Sequence, residues 1–174
     1  MQIKIVERFQ FLDPGPLSDG DLTIELAKRV RGNRQRGIVP AYRFDIHVKG
    51  HEEPVGSISL KTRLTPKLMK YGGHLGYEVK QPYRGHHYAL RAIRLLLPFA
   101  YRHGINTLLI TCDEENHASR RVAQRAGAKL KSIGLAERDV GEPVSTCYYE
   151  ITLIDEEWSS NQTMESAFSG TSEK

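Results

Sequence analysis

Tyr42, Phe44, Ile46 and Val48 alternate with Arg43, Asp45 and His47, the period-two pattern of a strand that buries one face. Lys49-Gly50 opens a turn and Val55 to Lys61 returns as a second strand, so the two are expected to pair as a hairpin. Earlier, Ile3 to Val6 is a short apolar stretch suited to a sheet edge. Ser18-Asp19-Gly20-Asp21 has the form of a capping box, and Leu22, Leu26 and Val30 recur at helical spacing up to Gly32, which predicts a helix. Asn33 to Gly37 (NRQRG) is a basic loop.

Beyond the hairpin, Lys61 to Tyr71 is a charged connection containing Pro66, and His74 to Lys80 is a third strand ended by Pro82. From Tyr88 the period changes. Ala89, Ala92, Ile93, Leu96, Leu97 and Ala100 form the apolar stripe of an amphipathic helix ending near Gly104. Pro98 is expected to kink that helix or shorten its regular part. Asn106 to Cys112 is too brief an apolar run for a helix and predicts a buried strand. Asn116 is a good N-cap for a helix through Ala126, closed by Gly127. Lys129 to Ile133 and Cys147 to Ile154 are the last two strands. The order β-α-β-β-β-α-β-α-β-β predicts an α/β domain, and the strand–helix–strand units over 74–133 predict a partly parallel sheet.

The 174 residues suit one domain, and 39% hydrophobic content excludes a chain disordered throughout. The longest apolar run, Leu95 to Tyr101, is interrupted by Pro98 and falls far short of a membrane span. Met1 to Gln10 lacks the apolar stretch of a signal peptide, so a cytoplasmic protein is expected. Cys112 and Cys147 cannot make a disulfide framework and lack zinc-site spacing; two buried, reduced thiols are expected. The tail, 155–174, holds five acids, one base and five Ser, and is expected to be disordered. With that tail at −4 and the whole chain at +4, residues 1–154 carry +8, which suggests an anionic partner such as nucleic acid, a membrane surface or a phosphate-bearing cofactor.

One segment carries chemistry. Between the strand at 74–80 and the helix at 88–103 lies Gln81-Pro82-Tyr83-Arg84-Gly85-His86-His87-Tyr88-Ala89. A turn from a strand end into a helix N-terminus offers unpaired N–H groups backed by the helix dipole, and so forms an anion site. Gly85 permits close backbone approach and Arg84 adds a charge, while the spacing matches neither a Walker loop nor a dinucleotide fold.

Gly72 to Ile93 (GGHLGYEVKQPYRGHHYALRAI) followed by Leu108 to Leu130 (LLITCDEENHASRRVAQRAGAKL) closely resembles the GNAT superfamily of acetyl-coenzyme A-dependent acetyltransferases. The likeness is strong over 55–130 and matches the form common in its ribosomal-protein and small-molecule branches. There a Q/R-x-x-G-x-G/A turn cradles the cofactor pyrophosphate, and an N-x-x-S segment opens the next helix. Here Pro82 stands where Gln or Arg is usual, and His87 replaces the second small residue. The resemblance implies a single domain over 1–154 with a mixed central sheet of about seven strands, flanked by helices and splayed between the strands at 74–80 and 106–112.

It also implies acetyl-coenzyme A as co-substrate, its pyrophosphate on the amides of Arg84, Gly85, His86, His87, Tyr88 and Ala89. The pantetheine arm would lie in the splay against backbone near Tyr77 and Val79, with Asn116 and Ser119 reaching the arm or thioester. Transfer would go to a primary amine of a small molecule or peptide by direct attack in a ternary complex. Glu78 is the expected base and the Val79 N–H the oxyanion donor. The Tyr that many relatives place seven residues after the Asn is Ala123 here, so Ser119 is the expected acid, with Tyr148 or Tyr149 behind it.

His74, His86 and His87 lack an acidic or Cys ligand at matching spacing, and no metal is expected. Arg91, Arg94, Arg120, Arg121 and Arg125 follow helical spacing on outward faces; solvent and cofactor phosphates account for them without nucleic acid. The alternative to catalysis is a degenerate module that binds coenzyme A or a protein partner without turnover. The acceptor pocket is expected from about 14–40 and the loop 134–146, whose neighbourhood holds Asp13, Asp19, Asp21, Glu137, Asp139 and Glu142. No membrane partner is expected, and a homodimer is the default assembly.

Overall fold

A computed structural model describes residues 9–138 and 141–153. The strand expected at Ile3 to Val6, Asp139 and the acidic tail lie outside the described residues. The elements are β1 (Ser18–Asp19), β2 (Leu22–Val30), β3 (Ala41–Val48), β4 (Gly56–Lys61), α1 (Pro66–Lys70), β5 (Leu75–Val79), α2 (Tyr88–Arg102), β6 (Thr107–Asp113), α3 (His117–Arg125), β7 (Lys129–Ala136) and β8 (Val144–Thr152).

The helix expected from Leu22 to Gly32 is instead the strand β2. Leu22, Leu26 and Val30 are four apart, a spacing that fits a helical turn but is also twice the strand period. Ile24, buried like Leu22, supplies the missing beat. Between Leu26 and Lys28 the register with β3 slips by one residue, so Leu26 faces Phe44 while Lys28 faces Arg43. This bulge at Ala27 turns Lys28 and Val30 onto the face opposite Leu22, Ile24 and Leu26.

The strands form two sheets, ordered β1-β2-β3-β4-β5 and β6-β8-β7. All the ladders among the described residues are antiparallel, in place of the partly parallel sheet expected. The reason is local. β5 and β6, joined through α2, would be the parallel neighbours, and they form no ladder; β6 is held instead by the residues just before β5. Cys112 and Cys147 are cross-strand partners on β6 and β8, and both are buried free thiols.

One core spans both sheets. Tyr42, Phe44 and Ile46 of β3, Ile93 and Leu96 of α2, Leu108 and Ile110 of β6, and Tyr149 of β8 are fully buried in it. Each such side chain stabilises the fold by roughly 1.5–3 kcal/mol. α2 continues through Pro98 to Arg102 rather than ending early. The carbonyl that loses its partner belongs to Arg94, which lies on the exposed side, so water can satisfy it. Among the described residues no helix is long and apolar enough to cross a membrane.

Candidate active site

β5 and β6 are stitched together at His74. Its N–H donates to the Leu109 carbonyl at 2.8 Å, and its Nδ1 accepts the Leu109 N–H at 2.9 Å. Gly73, at φ +50°, makes the crossing feasible, because a Cβ there would sit 2.6 Å from the Leu109 carbonyl oxygen. Past this point the strands fork. Lys61 N–H donates to His74 O and Lys80 N–H to Val55 O, so the even-numbered residues of β5 address β4. Alternation therefore turns the main-chain groups of Tyr77 and Val79 into the fork.

The fork opens into a cleft of about 550 Å³. At the end of β5, Gln81–Tyr83 make a single 3-10 turn and Arg84 folds back to donate from Nε to the Val79 carbonyl at 2.9 Å. Gly85 follows at φ +92° with nothing near its missing Cβ, so it is there for its backbone conformation and not for lack of room. His87, at φ +61°, caps α2 in the left-handed region without a side-chain hydrogen bond, and no acid stands in the first helical turn. The leading amides of α2 thus face the cleft with no carboxylate competing for them, which suits a bound diphosphate.

α3 closes the other side. Asn116 Oδ1 accepts the Ser119 N–H at 3.0 Å, the cap that sets the first turn. Ser119 Oγ lies 2.7 Å from the Tyr77 hydroxyl. Burial pushes the Tyr77 phenol up to about 12, against the opposing pull of its bond to Ser119. It therefore stays protonated through the physiological range. Behind this pair, burial also raises the Cys112 thiol, partly offset by a hydrogen bond with Ser119, so a reactive thiolate is disfavoured there.

Of the residues singled out from sequence, Tyr77, Glu78, Val79, Arg84, Gly85, His87, Tyr88, Ala89, Asn116 and Ser119 all line this cleft. His86 does not; it is exposed and stacks on Tyr88. Tyr149 does not line the cleft; it is fully buried, its hydroxyl receives Arg120 Nε at 3.3 Å, and it lies near enough to Tyr77 to help raise that phenol. Tyr148 donates to the Lys70 carbonyl. The structure also sorts the arginines. Arg121 and Arg125 line the cleft, Arg91 pairs with Asp19 and Asp21, Arg94 donates to the Arg125 carbonyl, and Arg120 holds Tyr149 and Glu114 O. The Tyr77 hydroxyl was missed as a functional group, since only its backbone was singled out. Strand alternation places the Tyr77 ring on the face opposite Glu78, but its meeting with Ser119 is set by the packing of α3.

Three of the acids near the expected acceptor pocket have partners of their own. Asp19 and Asp21 hold Arg91, which keeps the Asp21 carboxyl below its ordinary range, and Asp13 accepts the Gly15 N–H. His74, His86 and His87 are likewise separated, on Leu109, Tyr88 and Arg125 respectively.

A family model described as an acetyltransferase (GNAT) domain matches residues 2–129. No curated protein matches the sequence. Among solved structures, the chain resembles a ribosomal-protein-S5-alanine acetyltransferase from Vibrio fischeri with a TM-score of 0.62 and 11% identity over 80% of this chain and 97% of that one. An acetyltransferase from Salmonella typhimurium that modifies the N-terminal serine of 50S ribosomal subunit protein L7/L12 gives 0.54 and 25%, over 70% and 67%. A RimL ribosomal L7/L12 alpha-N-protein acetyltransferase in complex with coenzyme A gives 0.53 and 24%, over 68% of this chain and 64% of that one.

Proposed function

The chain belongs to the GNAT acetyltransferase family, and from that premise we propose that it moves the acetyl group of acetyl-coenzyme A onto a primary amine of a small molecule or peptide within one ternary complex. The observation that carries this reading is the fork. β5 and β6 share no ladder, Tyr77 and Val79 aim main-chain groups into the gap, and the uncapped N-terminus of α2 lies at its end. A pantetheine arm can add there as a strand while the diphosphate takes the amides of 84–89. Arg121 and Arg125 supply further positive charge for phosphate.

The two faces of β5 divide the chemistry. Glu78 is exposed and points to the open side of the sheet, while Tyr77 points to α3. An amine arriving from the open side loses its proton to Glu78, directly or through a water, and attacks the thioester carbon. The Val79 N–H steadies the oxyanion as the tetrahedral intermediate forms. On collapse the C–S bond breaks and the thiolate takes a proton from Ser119, whose hydroxyl is replenished from cleft water through Tyr77, while Glu78 returns the amine's proton to solvent. A thiolate with pKa of about 8.5 needs little help to leave, which is why a pair of hydroxyls suffices.

Calorimetric titration with acetyl-coenzyme A, then thiol release over a panel of amines, tests the reading. Saturable binding with release on at least one amine is the expected result. Binding with no release on any amine would instead favour a module that holds coenzyme A without turnover.

A further inference from the structure

A second cavity, of about 450 Å³, opens on the uncovered face of the five-stranded sheet. Lys28 of β2, Arg43 of β3 and Lys61 of β4 converge on it. Ser59 forms part of its floor, and Ile38, Val39 and Leu68 form apolar walls. No acid lines it. Along the chain there are six Lys or Arg and no Asp or Glu between Glu25 and Asp45, and those two acids, paired across β2 and β3, hold the next row of the same face.

Three features mark this as a built site. The bulge at Ala27 is what aims Lys28 outward, since an unbroken strand would send it to the core side with Leu26. Lys61 is partly buried, with its Nζ on the Gly72 carbonyl at 3.3 Å. Burial and the neighbouring Arg43 both disfavour its charge, and an anion between the two cations would offset their repulsion. The cavity also shares its face of the sheet with Glu78. Ser59 pairs with Gly76 and Ser57 with Glu78, so Glu78 lies two residues beyond Gly76 and two strands over from Arg43, about 12 Å from it between Cα atoms and within the combined reach of the two side chains and a short ligand. Gly76 leaves the floor between them bare, and a Cβ there would crowd Ser59 Oγ at 3.1 Å.

We infer that Lys28, Arg43 and Lys61 bind an anionic group, phosphate or carboxylate, carried by the acceptor amine whose nitrogen reaches Glu78. The inference rests on the acetyl-transfer reading above and narrows its acceptor to amines that bear a negative charge a short chain away.

The test compares matched amines. Ethanolamine is set against phosphoethanolamine for phosphate, and 1,4-diaminobutane against 4-aminobutanoate for carboxylate. The expected result is that the anionic member of one pair has a kcat/KM about tenfold or more higher, as one desolvated charge-assisted contact gives. That advantage should vanish in Arg43→Gln and Lys61→Met, with folding checked by circular dichroism. Lys28→Gln, at an exposed strand position, should weaken it without threatening the fold. Equal rates within both pairs, or an advantage that survives all three substitutions, overturns the inference. If no amine is acetylated although acetyl-coenzyme A binds, the transfer reading fails alone. Calorimetry with inorganic phosphate and with acetate on coenzyme A-saturated protein then decides. Binding lost in the variants upholds the anion site, and no binding of either ion overturns it.

Discussion

His74 and Leu109 exchange two hydrogen bonds, one through the His74 main-chain N–H and one through its ring Nδ1, and this exchange is where the two sheets are pinned before they part. A ring nitrogen that accepts an N–H is unprotonated, so the pin holds only while His74 is neutral. The fork proposed to receive the acyl arm is thus hinged on a residue with a protonation requirement.

Burial, with the charge of Lys61 adding to it, pushes His74 down from 6.5 to about 4. The unfolded chain binds this proton first, so the stabilisation is complete above pH 6.5 and is lost as pH falls from 6.5 toward 4. The full loss is roughly 3 kcal/mol. Urea denaturation across that window should show the decline. In His74→Asn, whose Oδ1 can still accept from Leu109, the slope should flatten, and an unchanged slope would assign the acid sensitivity to other groups.

Tyr77→Phe removes the hydroxyl partner of Ser119 and little else, because the ring remains packed against the core. In the proposed mechanism the step affected is protonation of the departing thiolate. A drop in kcat of about five- to tenfold is expected, the worth of one neutral hydrogen bond, with KM for acetyl-coenzyme A nearly unchanged. Ser119→Ala should cost more, near the lower end of the roughly hundredfold to ten-thousandfold range for acid catalysis. If Tyr77→Phe instead raises KM and spares kcat, the hydroxyl positions the arm and is not part of the proton path.

Much of this site was legible because its signals are local. The turn from β5 into α2 announces itself through Pro82, Gly85 and the apolar stripe that follows, and the N-cap at Asn116 through its own side chain. β2 was read as a helix because its marker residues are four apart and its bulge breaks the alternation that would have revealed a strand. The pairing of Tyr77 with Ser119 was out of reach for a different reason. It joins positions 42 residues apart and depends on how α3 settles against β5. The cationic cavity assembles Lys28, Arg43 and Lys61 from three strands, and only the bulge puts Lys28 among them.

His87 holds φ +61° without being glycine, at the place where the family turn has a small residue. A non-glycine residue pays about 1 kcal/mol for that conformation. His87→Gly should therefore raise the melting temperature by about 2–4 °C, read by differential scanning calorimetry. No change, or a fall, would mean that the contact of the ring with Arg125 at 3.4 Å offsets the strain.

Gly73 and Gly85 both sit at positive φ, +50° and +92°, yet alanine should act differently at each. At Gly85 nothing lies within 4 Å of the added Cβ, so the cost is backbone strain alone, about 1–3 kcal/mol, and the turn can relax outward. The leading amides of α2 move with it, and affinity for acetyl-coenzyme A should fall more than stability does. At Gly73 the Cβ would meet the Leu109 carbonyl oxygen at 2.6 Å and Thr111 N at 3.3 Å, backbone atoms that cannot swing aside. Relief requires β5 to lift off β6, which breaks the His74–Leu109 exchange and opens the fork from its base. Gly73→Ala should thus lose more than about 3 kcal/mol, strain and the broken hydrogen bonds together, and be the less stable of the two in urea. If Gly85→Ala proves the less stable, or if Gly73→Ala leaves stability unchanged, the strands are not pinned where His74 and Leu109 meet.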